Sequence, residues 1–282
     1  MSIVIEDNAT DVLRKSMLGR GISSEMLAEK ANVPLALIRR LRRERAESEL
    51  CSRIAPFLKL SPEKLSLLDK KFDASRSGMM PDETRLPENC FRLEMFCGNK
   101  VLPEMTANAY VMADFERSHA VLVDCGMNAE ALVGFLKSRS LKSADICLTH
   151  RHFDHAGGVK ELTAAFPKMR IRDFNTCFVR EEQSASFTFG RFCLRAIPVP
   201  GHTEDSVVFV WENPPQGRPP IAFTGDTVFL GSIGGCLPGY LEKSLASIKE
   251  RLFDTLPAET ILLPGHGPAT TLEREIRENP FF

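Results

Sequence analysis

Apolar residues recur at three- and four-residue steps from Thr10 to about Leu68, and this spacing predicts helices. Residues that commonly cap or begin a helix divide the stretch into short pieces. After a first helix, the predicted pieces are Ser23 to Ala31, Pro34 to Arg45, Glu47 to Leu60 and Ser61 to Leu68. We therefore expect a small all-helical domain over residues 1–72.

The pattern changes after a segment rich in charge, Ser, Gly and Pro, which we interpret as a linker over residues 73–88. Beyond it, short runs rich in β-branched and aromatic residues predict strands. These runs are Phe91 to Cys97, Ala109 to Asp114, Ala120 to Asp124, Ile146 to Thr149, Phe192 to Pro198, Ser206 to Trp211, Ile221 to Thr224 and Ile261 to Leu263. Helical patterns intervene at Ala129 to Ser138, Gly158 to Phe166 and Glu242 to Phe253. The alternation predicts a mixed α/β domain over residues 89–282.

Composition and charge exclude several classes of protein. A 282-residue chain with 43% hydrophobic residues and a net charge of −1 has material for a core and no overall attraction to nucleic acid or to anionic membranes. Met1 to Thr10 lacks the pattern of a secretory leader, and no stretch approaches ~20 uncharged apolar residues. The cysteines are scattered without a C-x-x-C pair, which favours reduced thiols and a cytoplasmic location.

Three imidazoles and a carboxylate stand close together directly after the strand-like run Ile146 to Thr149. They belong to His150, His152, Asp154 and His155. A loop at the end of a strand can turn several ligands inward. Strand-like alternation could point His150, His152 and Asp154 one way, while a tight turn brings His155 to a second ion.

Three later fragments each place a metal-binding side chain beside glycine, namely His202 in P-G-H-T, Asp226 in T-G-D-T and His266 in P-G-H-G. Glycine allows the backbone to approach a crowded site closely. Only His119, among six histidines, lies outside these motifs. Unrelated core or surface histidines therefore explain the pattern poorly, and we predict a metal site.

The order T-H-x-H-x-D-H, G-H-T, G-D and P-G-H-G resembles the metallo-β-lactamase superfamily over residues 89–282. The resemblance implies an α/β fold, an αββα sandwich with its site at one edge, preceded here by the small all-α domain. It implies two ions, the first on His150, His152 and His202, the second on Asp154, His155 and His266, with Asp226 as the bridge. Asp124, in V-L-V-D-C-G, matches an aspartate that supports the ligand loops without binding metal.

Two divalent ions about 3.5 to 4 Å apart lower the pKa of a shared water and hold it as hydroxide. The resemblance thus implies a hydrolase whose metal-bridging hydroxide attacks an activated carbonyl, with Asp154 orienting the water and receiving its proton. Imidazole and carboxylate ligands suit zinc, manganese or iron, and zinc is our default expectation.

The end of the chain, through Asn279-Pro280-Phe281, resembles short glyoxalase II-like thioesterases, the class of hydroxyacylglutathione hydrolases. This implies a small thioester or ester as substrate. The loop Phe229 to Gly234 also resembles theirs, but it continues Gly235-Cys236-Leu237 where that family usually has a charged pair, which leaves the acyl group and the metal open. A lactonase is one alternative, in which Tyr240 offers a hydroxyl near the carbonyl. The complete second ligand set argues against a mononuclear persulfide dioxygenase.

The helical segment resembles Cro/repressor-like helix-turn-helix domains in L-A-E-K-A-N-V, L-I-R-R-L-R-R-E and I-A-P-F-L-K-L-S-P-E-K-L. Its positive charge is concentrated in Arg39, Arg40, Arg42 and Arg43, which could contact DNA phosphates or a partner. The predicted recognition helix begins with apolar residues that cannot read base edges. We therefore favour partner contact or homo-oligomer formation over DNA binding, and a ligand-sensing DNA-binding regulator is the second alternative.

Overall fold

The N-terminal part of the chain is helical, as the apolar spacing predicts. The structure, a computed structural model, describes residues 4–76, 86–98, 105–178 and 184–282. The first helices are α1 Ala9–Gly19, α2 Ser24–Ala31, α3 Leu35–Arg40, α4 Ser48–Ile54 and α5 Pro62–Arg76, with a 3-10 turn Ala55–Leu58 after α4. The side chains of Asn8 and Ser23 cap α1 and α2 by accepting hydrogen bonds from backbone N–H groups.

Helix α3 is shorter than the predicted helix Pro34 to Arg45. The residues at 44 and 45, one turn beyond the buried Leu41, are charged, so a longer helix would gain no apolar burial. The chain instead forms a turn after Arg40.

Helix α5 is longer than predicted and takes in residues 73–76 of the segment interpreted as a linker. Phe72 packs against the core, and Ser75 accepts a hydrogen bond of 3.1 Å from the backbone of Ile5, so burial and pairing extend the helix. The linker residues 77–85 lie outside the described part of the chain.

Two sheets form the centre of the α/β part. The first contains β1 Cys90–Phe96, β2 Thr106–Asp114, β3 His119–Val123, β4 Ser143–Cys147 and β5 Ile171–Arg172, in that spatial order. The second contains β6 Ala185–Phe189, β7 Phe192–Pro198, β8 Val207–Trp211, β9 Ile221–Gly225, β10 Ile261–Pro264 and β11 Thr270–Thr271, in the order β11-β10-β9-β8-β7-β6. Strands β3 and β4 run parallel, as do β9 and β10, and this brings their carboxyl ends to one edge.

Helices flank both sheets. They are α6 Glu130–Ser138, α7 Phe153–Ala156, α8 Val159–Ala165, α9 Phe174–Cys177, α10 Leu241–Ile248, continued by a π-helical turn Lys249–Phe253, and α11 Leu272–Glu278. The two-residue strands β5 and β11, the strand β6 and the short helices α7, α9 and α11 were not predicted.

Alternation along the strands builds a layered core. In β2, for example, Val111 packs with α6 and α8 on the outer face of the first sheet, whereas Met112 packs between the sheets. In β8, Phe209 faces the first sheet and Val210 faces the opposite way. The order of layers is helix, sheet, sheet, helix, which confirms the α/β sandwich.

The N-terminal helices cover the outer face of the second sheet together with α10. Leu13, Ile54 and Leu68 belong to the same cluster of buried apolar residues as Val208 and Ala222 of that sheet. The helical segment therefore shares a core with the sandwich and does not stand apart from it.

Two further features concern the cysteines and the lengths of the helices. All eight cysteines lie in the described residues, and none is paired in a disulfide. Within the same residues, every helix is too short or too polar to cross a bilayer.

The core shared by the N-terminal helices and the α/β part can be tested by mutation. Leu68 is 2% exposed, and its side chain packs against Gly231 of the α/β part, whereas its neighbour Leu67 is 38% exposed. Leu68→Ala should lower the free energy of unfolding by about 2–5 kcal/mol, because it leaves a cavity at this contact. The matched variant Leu67→Ala should cost less than about 1 kcal/mol. Urea denaturation measures both, and equal losses would show that α5 does not pack in this way.

Candidate metal centre

The first group of ligand atoms lies at the ends of strands from both sheets. It comprises His150 and His152 after β4, His202 after β7 and Asp226 after β9. His152 Nδ1 is 3.0 Å from His150 Nε2 and 2.9 Å from His202 Nε2. Three imidazoles thus converge on one point, with His152 exposed to solvent and His150 buried.

The second group comprises Asp154 and His155, both on α7, and His266 after β10. His155 Nε2 is 3.3 Å from His266 Nε2, and Asp154 Oδ2 is 3.5 Å from His266 Nε2. Strand-like alternation would have grouped Asp154 with His150 and His152. That expectation is wrong because the chain turns into a helix at Phe153 and carries Asp154 to the other side.

Asp226 lies between the two groups and presents a different oxygen to each. Its Oδ2 is 3.5 Å from His202 Nε2, whereas its Oδ1 is 3.2 Å from His155 Nε2 and 3.6 Å from His266 Nε2. Among the described residues, Oδ1 is a buried oxygen with no hydrogen-bond partner. A buried anionic oxygen without a partner is costly unless a positive charge faces it.

The spacing of the ligand atoms fits metal ions. Ligands about 2.0–2.1 Å from a tetrahedral ion are themselves roughly 3.3 Å apart. The close nitrogen and oxygen separations within the two groups run from 2.9 to 4.0 Å and thus lie on both sides of this value. Each group also combines imidazole with carboxylate, a donor set that binds divalent first-row metals.

The electrostatics differ between the two groups. Burial and the neighbouring imidazoles outweigh Asp226 and lower the pKa of His150 to about 2, which keeps it neutral and able to donate a lone pair. Burial also acts to lower the pKa of His266, but Asp226 and Asp154 outweigh it and raise that pKa to about 9. The carboxylates of the second group therefore favour positive charge at this position, which a proton on His266 or a bound cation can supply.

Asp124 ties the first ligand loop to the second group. Its Oδ1 accepts a hydrogen bond of 2.8 Å from the backbone of Thr149, and its Oδ2 accepts one of 2.7 Å from the Thr149 hydroxyl. The same Oδ2 lies 2.9 Å from His155 Nδ1. Asp124 thus orients His155 with Nε2 toward the site, and it lies outside both ligand groups.

Two other imidazoles are oriented by backbone carbonyls. His202 Nδ1 is 2.7 Å from the carbonyl of Gly235, and His266 Nδ1 is 2.6 Å from the carbonyl of Thr106. Donation from Nδ1 leaves the Nε2 lone pair free to face the site. These contacts fix the ring orientation before any ion binds.

Glycine is required where the ligands crowd the backbone. A Cβ on Gly265 would lie 2.5 Å from His155 Cε1 and 2.6 Å from Asp226 Oδ1. A Cβ on Gly234 would lie 2.7 Å from His202 Nδ1. Both positions therefore exclude larger side chains by close approach to a ligand.

The C-terminal helix supports the loop that follows Asp226, a role that the sequence did not reveal. Glu275 accepts hydrogen bonds of 2.9 Å from the backbone of Gly231 and 2.7 Å from the Thr270 hydroxyl. Asn279 donates to the carbonyl of Ser232 at 3.0 Å and to Glu275 at 2.9 Å. The Asn-Pro-Phe ending is thus a structural anchor for the site.

The other predicted site residues lie outside the two ligand groups. Tyr240 immediately precedes α10 and is 41% exposed. The Nζ atom of Lys243 lies over its ring, 5.8 Å from the centroid. Arg39 and Arg40 are on α3 and pair with Glu25 and Glu44, and Arg42 and Arg43 follow in the exposed turn. The substrate role of Tyr240 and the DNA or partner role of the arginines stay predictions.

A four-layer α/β sandwich with histidines and aspartates gathered at one edge is the arrangement of a metal-binding protein, and comparison with known proteins identifies its superfamily. Residues 102–173 match the model of the Metallo-beta-lactamase superfamily. An uncharacterised protein of Mycobacterium tuberculosis strain H37Rv is 31% identical over 209 residues, which are 63% of this chain and 93% of that protein. The chain contains a metallo-beta-lactamase superfamily domain.

Relatives that are named for an activity agree with this family. A hydroxyacylglutathione hydrolase of Psychromonas ingrahamii is 30% identical over 165 residues, 56% of this chain, and the match spans only 60% of that relative's length. Among solved structures, the BLEG-1 B3 metallo-beta-lactamase superposes with a TM-score of 0.54 at 28% identity, covering 68% of this chain and 99% of that one. The chain therefore has the metallo-beta-lactamase fold.

The burial of Glu275 in the C-terminal anchor predicts a pH dependence of stability. Burial raises the pKa of Glu275 to about 7 from an ordinary 4.5. The folded state then holds a proton that the unfolded state has lost, so this contribution to stability is present below pH 4.5 and is lost as the pH rises to about 7. Relative to Glu275→Gln, the wild-type free energy of unfolding should fall by on the order of 3 kcal/mol across this window.

Denaturant unfolding at a series of pH values, with a chelator present, measures this difference. Glu273→Gln is the matched control, because Glu273 lies on the same helix with a side chain that is 68% exposed. Its pH profile should follow the wild type. Parallel profiles for wild type and Glu275→Gln would contradict the assignment.

Proposed function

We propose that the chain is a dinuclear metal-dependent hydrolase that cleaves a small thioester, resembling the hydroxyacylglutathione hydrolases. One observation carries the dinuclear part: the two oxygens of Asp226 face two separate groups of ligand atoms. The first ion would be held by His150, His152 and His202, the second by Asp154, His155 and His266, and both by Asp226. Zinc is the proposed metal, although this donor set also suits manganese and iron.

When bound, a pair of divalent cations lowers the pKa of water and polarises a carbonyl oxygen, which is the chemistry that ester and thioester hydrolysis needs. The protein supplies oriented donors for them. Asp124 and the carbonyls of Gly235 and Thr106 hold three imidazole rings, so that little reorganisation is needed on binding.

Asp154 is the proposed catalytic residue. Burial acts to raise its pKa, but the hydrogen bond from His266 and the charge of His155 outweigh burial and lower it. The carboxylate is therefore ionised at neutral pH. It can orient a water through its oxygens and accept a proton from it.

Solvent and substrate reach the site beside His152. His152 is exposed, while His150, His155 and His266 are buried behind it. Phe153, 52% exposed, follows His152 directly and offers an apolar surface for an acyl chain. These features support a small carbonyl substrate, and the hydroxyacylglutathione hydrolase relatives favour a thioester over a lactone.

A reducing compartment such as the cytoplasm is the proposed setting. The unpaired cysteines support it, since six of the eight are buried as thiols. Homo-oligomer formation and DNA contact through the N-terminal helices stay predictions.

The proposed function predicts the metal content and the substrate preference of the protein. The purified chain should contain about two divalent ions, and chelation should abolish its activity until metal is restored. It should hydrolyse a thioester such as S-lactoylglutathione faster than a lactone or a phosphodiester. Elemental analysis and a substrate panel measure both properties.

The matched variants compare histidines inside and outside the site. His266→Ala should lose one ion and lower turnover by more than the roughly 10–100-fold that loss of an outer hydrogen-bond partner costs. His119→Ala should keep both ions, because His119 lies beside Ser143 and Asp145, outside both ligand groups. A metal-free wild type would refute the proposal, and faster lactone cleavage would replace the thioester by a lactone.

A further inference from the structure

The loop of residues 229–236, here termed the clamp loop, touches two of the ligands through its backbone. The Gly235 carbonyl lies 2.7 Å from His202 Nδ1, and the Gly234 N–H donates to the Asp226 carbonyl at 2.8 Å. The position of the clamp loop therefore sets the orientation of His202 and the start of the turn after Asp226. The loop itself contains no charged residue.

Two charged side chains from the N-terminal helical segment contact the clamp loop. Lys15, on α1, donates a hydrogen bond of 2.9 Å to the Ile233 carbonyl and one of 2.5 Å to Asp7 Oδ2. The Ser232 hydroxyl donates to the same Asp7 oxygen at 2.5 Å. Lys15 Nζ also lies 4.9 Å from the ring centroid of Phe229, within cation–π range.

This network is shielded from solvent, unlike most surface ion pairs. Asp7 is 5% exposed, Ser232 is fully buried, and the Lys15 side chain is 23% exposed. A shielded ion pair that also has hydrogen bonds holds its geometry, and removal of one partner leaves the other charge uncompensated. Lys15 and Asp7 are thus able to fix the clamp loop.

We propose that Lys15 and Asp7 are positioning residues of the metal centre, through which the N-terminal helical segment supports the first metal site. This inference rests on the proposed dinuclear function. The two residues act through the clamp loop on His202 and do not touch the ions or the substrate.

The effect should be larger at the first site than at the second. The hydrogen bonds that orient His155 and His266 of the second group come from Asp124 and the Thr106 carbonyl. Among the described residues, the clamp loop contacts this group only through the Phe229 ring, whose centroid is 5.8 Å from that of His266, and through the shared Asp226. Loss of Lys15 should therefore weaken binding of the first ion more than binding of the second. A general loss of stability would weaken the binding of both ions to a similar extent.

Variants that keep one site each separate these cases. His266→Ala leaves the first group complete, and His152→Ala leaves the second group complete. Lys15→Met is introduced into both full-length backgrounds, and zinc affinity is measured by competition with a chromophoric chelator. We expect roughly 10- to 100-fold weaker zinc binding in the His266→Ala background and less than about 3-fold change in the His152→Ala background.

The control is Lys59→Met, because Lys59 pairs with Glu242 of α10 across the same contact between the N-terminal helices and the α/β part, at 2.7 Å. It should leave both affinities unchanged. Asp7→Asn is the second variant, used with or in place of Lys15→Met if the latter does not fold. It keeps an acceptor for Ser232 but removes the charge facing Lys15, and it should weaken the first site in the same direction. The visible absorption of bound cobalt reports whether the geometry of the first site changes.

Unchanged zinc affinity and an unchanged cobalt spectrum in both Lys15→Met and Asp7→Asn would overturn the inference. Equal weakening of both sites would also overturn it, since that is the result of a merely structural role. These outcomes leave the dinuclear hydrolase intact, provided that the wild type binds two ions. A wild type that bound no zinc would overturn the proposed function and this inference together.

Discussion

The buried carboxylate of Asp226 is the constraint on which the site depends. Its two oxygens face two clusters of imidazoles, and Oδ1 has no hydrogen-bond partner among the described residues. An isolated carboxylate at this depth would be very unfavourable, so positive charge must lie on both sides of it. In the protein alone, protons on His155 and His266 meet part of that demand, since Asp226 and its neighbours raise the pKa of both rings despite their burial.

The rest of the molecule serves to hold donors around this carboxylate. Strands β3, β4, β7, β9 and β10 each end where a ligand or its support begins, and the apolar layers on both faces of the sheets keep those ends in place. The loops are then tied by hydrogen bonds, to Asp124 on one side and to Lys15, Asp7 and the C-terminal helix on the other. The N-terminal helices are thereby part of the scaffold of the site.

The sequence predicted the residues that meet at the candidate metal centre better than their surroundings. The seven side chains that converge were all identified, because histidine and aspartate beside glycine form a local signal. Strand-like alternation predicted the wrong direction for the Asp154 side chain, because the chain forms the helix α7 there and not a strand. The strands β5 and β11 were missed because two residues carry no pattern. Lys15 and Asn279 were missed because their partners lie far away in sequence, and no local spacing encodes such contacts.

Anomalous diffraction at the zinc absorption edge, from crystals of the zinc-loaded chain, tests the central claim most directly. A dinuclear site gives two peaks, one on each side of the Asp226 carboxylate: the first among His150, His152 and His202, the second among Asp154, His155 and His266. A single peak would contradict the dinuclear site, and peaks away from Asp226 would contradict its role as the bridge.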